Sequence, residues 1–156
     1  MPIAATVVPP ARFSQAPAGW HVSTSAPIVL VRGQAQGSTL ATTWVANLSA
    51  PGGWSAQLHP GRAAISVLLI RRDPRFGPPC SGPRLALPLR LADAQHATQD
   101  ASPLREDRFG GQLHGYDVDL RIDYGVAHPS RAIRTRVQRM LARVRFPAWP
   151  GRCATP

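Results

Sequence analysis

Alternation at period two runs through this chain as far as Tyr124, and one segment with a 3.6-residue period follows it. That order excludes a βαβ repeat and predicts a sheet built before a single terminal helix. Gln112 to Tyr124 is the clearest strand. It sets Tyr116, Val118, Leu120 and Ile122 on one face and Asp117, Asp119, Arg121 and Asp123 on the other. Ala63 to Arg71 is apolar on both faces (Ile65, Val67, Leu69 against Leu68, Ile70), which predicts a central strand covered on both sides. Further strands are expected over Trp20 to Thr24, Ile28 to Arg32 and Thr39 to Leu48, with a turn at Gly33 to Gly37 between the last two. Leu85, Leu87, Leu89 and Leu91 also alternate. Pro88 among them cannot donate a ladder hydrogen bond, so this strand belongs at an edge or beside the sheet. Ala92 to Arg108 is polar and weakly patterned, with room for a short helical turn.

The helix is predicted from Pro129 or Ser130 to Arg145, with Ser130 or His128 as cap. Ile133, Val137, Met140, Leu141 and Val144 form its apolar stripe, and Phe146-Pro147 ends it. The expected fold is therefore α+β: an antiparallel sheet of about five to seven strands with a C-terminal amphipathic helix on one face. Residues 1–18, rich in Pro and Ala, read as a linker or arm; 19–147 as one domain; 148–156 as a tail. No basic n-region precedes an apolar core at the start, so no signal peptide is read there. Either the chain is cytoplasmic, or a secretion signal or anchor precedes this segment.

Composition narrows the function classes. With 156 residues, 44% of them hydrophobic, the chain can bury a real core. The apolar run Ala63 to Ile70 is far shorter than the roughly 20 residues of a spanning helix. The net charge of +10 comes from 18 basic residues, all Arg, against 8 acids, in a composition also rich in Ala, Pro and Gly. Resolved by position, +7 of it falls on residues 124–156, which hold no Asp or Glu. Arg136, Arg139 and Arg143 project on one flank of the apolar stripe, and Arg131, Arg134 and Arg145 on the other. A cationic helix of this kind can bind an anionic polymer or membrane surface. It can equally be a solvated face whose charge is offset by acids on neighbouring elements. Base readout has no support: there is no recognition-helix pattern, RNP-type strand or Gly-rich phosphate loop.

Cys80 and Cys153 lie in loops far apart in sequence. They read as a disulfide pinning the tail to the body, worth roughly 4 kcal/mol in the chain-entropy model, in an oxidising extracytoplasmic compartment. Two free thiols is the other reading, since no neighbouring His or helix N-terminus activates either one. His114, Asp117 and Asp119 would supply a small hydrolase or a calcium cluster. The plainer reading is the polar face of a half-buried strand. The five His form no metal-binding pair, no cofactor motif appears, and Ser55 lacks the G-x-S-x-G setting. Trp54, on its Gly-Gly loop, is the best exposed aromatic candidate.

Three short stretches carry a resemblance: Ala16-Pro-Ala-Gly-Trp20, Leu58-His-Pro-Gly61 before Ile65 to Ile70, and Ile122-Asp-Tyr-Gly125 before Pro129-Ser130 and the helix. In this order the chain resembles extracytoplasmic α+β domains of GC-rich bacteria and the PsbP/Mog1/LpqN-like group. The resemblance implies an α+β sandwich and an accessory or binding role, secreted or membrane-tethered, with no catalytic residues to carry over. The expectation is a non-enzymatic extracytoplasmic domain binding a small ligand or a protein.

Overall fold

The strongest alternation in the sequence marks the centre of the sheet. Val118, Leu120, Ile122 and Tyr124 of one strand meet Leu69, Val67, Ile65 and Ala63 of its neighbour in antiparallel register, and all eight side chains are buried. The computed structural model describes residues 8–25, 28–30, 34–73, 75, 78, 80–98 and 104–148. Within these, the strands are β1 (Arg12–Phe13), β2 (His21–Thr24), β3 (Ile28–Leu30), β4 (Gln34–Thr42), β5 (Ala63–Arg72), β6 (Gln95–Thr98), β7 (Arg105–Leu113), β8 (Tyr116–Tyr124) and β9 (Val144–Arg145). Helix α1 spans Arg131–Leu141. Seven strands form one antiparallel sheet in the order β2-β4-β5-β8-β7-β6, with β3 beside β4, while β1 and β9 form a separate two-stranded ribbon. The fold is α+β, with the C-terminal helix packed on one face.

Helix α1 begins where Ser130 stays extended and its Oγ accepts the Ile133 N–H at 3.3 Å, which satisfies one orphan donor of the first turn. Ile133, Val137, Met140 and Leu141 are buried against the sheet, each contributing roughly 1.5–3 kcal/mol of apolar burial. Val144 is buried too, but from a strand. The helix ends at Leu141, earlier than the proline suggests, because Val144 and Arg145 pair with Phe13 and Arg12. The first described residues are an arm rather than a linker. Val8 and Ala11 are fully buried, the Ala11 carbonyl accepts from Thr39 Oγ1, and the arm backbone crosses Gly37 so closely that any Cβ there would strike the Val8 carbonyl.

Several expected elements change. The Gly33 to Gly37 turn is not formed over 34–37, which belong to β4; Gly37 serves the close crossing of the arm instead. β4 then stops at Thr42, so Trp44 and Leu48 leave the sheet. Gln112 to Tyr124 is not one strand but the end of β7, a two-residue turn and β8. His114 and Gly115 take φ of 50° and 89°, the left-handed pair that a tight hairpin requires. The polar stretch before it forms β6 and β7, because its buried acids find partners across the strands. Leu85 to Leu91 passes beside the sheet, as its proline implies: Leu85, Leu89 and Leu91 are buried while Leu87 is 49% exposed. Gln138 of α1 holds it there, accepting from the Leu91 N–H at 2.8 Å and donating to the Leu89 carbonyl at 3.1 Å. Finally, β5 is fully covered on one face and partly on the other, where Ala64 is buried and Ser66, Leu68 and Ile70 are half-buried.

Candidate functional site

That second face, opposite the helix, is where register assembles chemistry. Because side chains alternate, Asp117, Asp119, Arg121 and Asp123 of β8 all project from it. β7 places Glu106 opposite Asp123, Arg108 opposite Arg121 and Gly110 opposite Asp119. Rows of carboxylates and guanidiniums thus follow one another along the strands. Arg108 Nε lies 2.9 Å from Glu106 Oε1 and its terminal nitrogen 3.9 Å from Asp119. Arg121 Nε sits 3.9 Å from Glu106 and 3.7 Å from Asp123. These distances give ion pairing but leave the buried Arg121 Nε without a hydrogen bond, and Asp123 Oδ2 likewise. Burial pushes the Asp123 carboxyl above the ordinary range. The Arg121 charge opposes that shift, and the neighbouring Glu106 adds to it.

The segment 43–62 laps over one end of this face. Gln57 is its internal hub: its Oε1 accepts from Trp44 Nε1 at 3.2 Å and from the Asn47 N–H at 3.0 Å, while its Nε2 donates to the Asn47 carbonyl at 2.8 Å. Arg62 donates to the Gln57 carbonyl at 2.7 Å and stacks over the Trp44 ring at 5.2 Å. The loop closes on the sheet through the Gly125 N–H, which donates to the Arg62 carbonyl at 3.1 Å. A Cβ at Gly125 would overlap the His59 carbonyl, so only glycine fits there.

Two cavities open between loop and sheet. The larger, about 500 Å³, has Ser23, Ser38 and Ser66 in its floor, Leu40 and Leu68 between them, Trp54 and Leu48 from the loop, and Asp119 and Arg121 at one end. The smaller, about 280 Å³, lies between Trp54, Ser55 and Leu58 on the loop and Glu106, Arg121 and Asp123 on the sheet. Trp54 and Arg121 line both. Such a groove offers an aromatic wall, hydroxyl donors and acceptors, an apolar strip and one partly exposed guanidinium.

Of the residues singled out from the sequence, Trp54, Asp117 and Asp119 come to this face. Asp117 accepts from the Ser81 N–H at 2.9 Å, and burial raises its carboxyl. His114 does not join them: it occupies the hairpin turn, its ring edge-on to Tyr116 at 6.3 Å, and Tyr116 points to the opposite face. Arg131, Arg134, Arg136, Arg139, Arg143 and Arg145 lie on the helix side, away from both cavities. Arg136 sits over the Trp20 ring at 5.9 Å, and Arg143 donates to Gln15 Oε1 at 3.4 Å. Cys80 is buried, at 5% exposure, and no free thiol occurs among the described residues; Cys153 lies outside them.

Glu106, Asp107 and His96 escape sequence reasoning, since only the β6–β7 register makes them neighbours. Asp107, fully buried on the helix side of the sheet, accepts from His96 Nδ1 at 2.7 Å, Arg105 Nε at 3.0 Å and the Tyr124 hydroxyl at 3.2 Å. The Arg105 guanidinium also lies 3.1 Å from His96 Nδ1, so His96, Arg105 and Asp107 form one contact network. Burial, and then the Asp107 charge, hold the Tyr124 hydroxyl well above the usual tyrosine range. This cluster satisfies a buried charge, and of its members Arg105 also borders the smaller cavity. Among the described residues, no group of three or more His, Cys, Asp or Glu could hold a metal ion. Comparison with protein-family models, curated proteins and solved structures gives no match for this chain.

Proposed function

We propose that this chain is an extracytoplasmic accessory domain that binds a small amphiphilic ligand in the groove and does not transform it. The observation that carries this reading is Arg121. Its side chain, 34% exposed, borders both cavities while its Nε faces Glu106 and Asp123. The exposed part of the guanidinium can donate charge-assisted hydrogen bonds to a ligand oxygen, which are stronger than neutral ones. The serine floor and Trp54 define that ligand: one part carrying oxygen acceptors near Arg121, and one flat or apolar part over Leu40 and Leu68.

A thermal-shift screen of small hydroxylated and acyl-bearing compounds tests it. Ligands that raise the unfolding midpoint of the native chain should have no effect on a Ser66→Phe variant, whose groove is filled, and a reduced effect on Trp54→Ala. Hits that stabilise all three proteins equally would refute the assignment of the groove. The compartment rests on a proposed Cys80–Cys153 bond. Thiol titration of native, unreduced protein should find no reactive thiol, and two would remove that part of the proposal.

A further inference from the structure

The side of the molecule opposite the groove carries the arm (8–20), the segment 124–148 and the stretch 85–93 that Gln138 holds beside α1. The first two contain no Asp or Glu. Arg12, Arg131, Arg134, Arg136, Arg139, Arg143 and Arg145 all belong to this layer, and no ion pair involves any of them among the described residues. The contrast with the sheet is sharp. There Arg105, Arg108 and Arg121 each face a carboxylate within 4 Å. Five of the acids are elsewhere: Glu106, Asp117, Asp119 and Asp123 on the groove face, and Asp107 buried and already bonded. Asp93, exposed in the segment that Gln138 holds, enters no ion pair among the described residues.

The β1–β9 ribbon makes the placement more pointed. Arg12 and Arg145 are direct register partners, both exposed. Like charges directly opposite on paired strands are destabilising. The ribbon therefore holds two guanidiniums side by side against their repulsion, and an anion bridging them relieves it. Arg134 leans toward Tyr124, with its Nε buried, and contributes less to the outer surface.

The shape of the layer selects the anion. Neither of the two cavities opens on it, so neither seats a strand of polymer against this layer. Its aromatic residues are not available for stacking: Trp20 is buried beneath Arg136, and Phe13 packs against the core. What remains is a helix of about 16 Å lying flat, with a cationic ribbon beside it. We infer that this face docks on an anionic phospholipid bilayer, leaving the groove turned toward solution. The acidic residues on the groove face favour the same orientation, since they are repelled by the surface that attracts the belt.

Vesicle co-sedimentation of the full chain tests this. Phosphatidylcholine vesicles containing phosphatidylglycerol should retain the protein at low salt, pure phosphatidylcholine should not, and added salt should release it. Replacing Arg12, Arg131 and Arg139 by Gln removes three exposed cations that make no ion pair among the described residues. At about five-fold per arginine, the partition coefficient should fall about a hundred-fold. A charge-matched control on other parts of the surface, Arg72→Gln with Arg75→Gln and Arg84→Gln, should keep most of the binding. The triple Arg→Lys variant at 12, 131 and 139 should restore it, and far-ultraviolet circular dichroism should be unchanged throughout. Absence of vesicle binding at low salt, an equal loss in the charge-matched control, or capture by heparin or RNA without capture by vesicles would each overturn the inference. Ligand binding in the groove is read separately and survives any of these results.

Discussion

Removing the Asp107 carboxylate tests whether the sheet edge depends on one buried charge. The three donors around it differ in what they lose. Tyr124 is fully buried, so its hydroxyl has no water to turn to once the acceptor is gone. Arg105, with 26% of its side chain exposed, recovers part of its solvation, and His96, at 58%, recovers most. Breaking a buried charge network costs about 3–5 kcal/mol, and partial access for Arg105 places Asp107→Ala near about 3 kcal/mol. For a domain of this size that lowers the unfolding midpoint by about 6–12 °C. Tyr124→Phe leaves one carboxylate oxygen short of a donor and should cost about 1.5 kcal/mol. His96→Ala exchanges an exposed partner for water and should cost less than about 1 kcal/mol. Urea unfolding followed by tryptophan fluorescence measures all three, provided the m-value stays constant. If Asp107→Ala costs under about 1 kcal/mol, or His96→Ala matches it, the ranking by burial is wrong.

Two more expectations concern the groove. Burial raises the Asp123 carboxyl, so the fold favours its protonated form. Its contribution is fully present below the ordinary aspartate value and is lost as pH rises through the raised one. Asp123→Asn should therefore be neutral or stabilising near pH 7 and should flatten the fall in stability above about pH 4; an unchanged pH slope would contradict this. Gly125→Ala should displace the 43–62 loop at about 1–3 kcal/mol and expose it to protease, because the new Cβ overlaps the His59 carbonyl. Gly53→Ala has open space but a φ of 67°, so it should cost only about 1 kcal/mol and leave proteolysis unchanged. Equal cleavage of the two variants would show that the Gly125 contact does not seat the loop.

The elements legible in the sequence are those whose faces differ in polarity. β8 and α1 each have one buried apolar face and one charged face, so period alone identifies them. β7 hides its signal because it turns Asp107 inward beside Phe109, and a buried carboxylate is intelligible only with its cross-strand partners. The hairpin was concealed for a related reason. His114 at a φ of 50° stands where Asn or Asp is the usual mark of a two-residue turn, and the flanking alternation resumes in phase. Trp54 was visible as a loop aromatic. The serines opposite it were not, since Ser23, Ser38 and Ser66 come from three strands and share a surface only through register.

The β1–β9 ribbon gives the chain an unusual closure. Residues 12–13 pair with residues 144–145, so the ribbon closes only when β9 returns to an arm that Gly37 and Thr39 of β4 already seat. Pairings this remote in sequence form late, because the loop they close is nearly the entire molecule. The ribbon thus ties the arm that crosses β4 to the strand that follows the helix, and the sheet and the helix are clasped together across everything that lies between them in sequence.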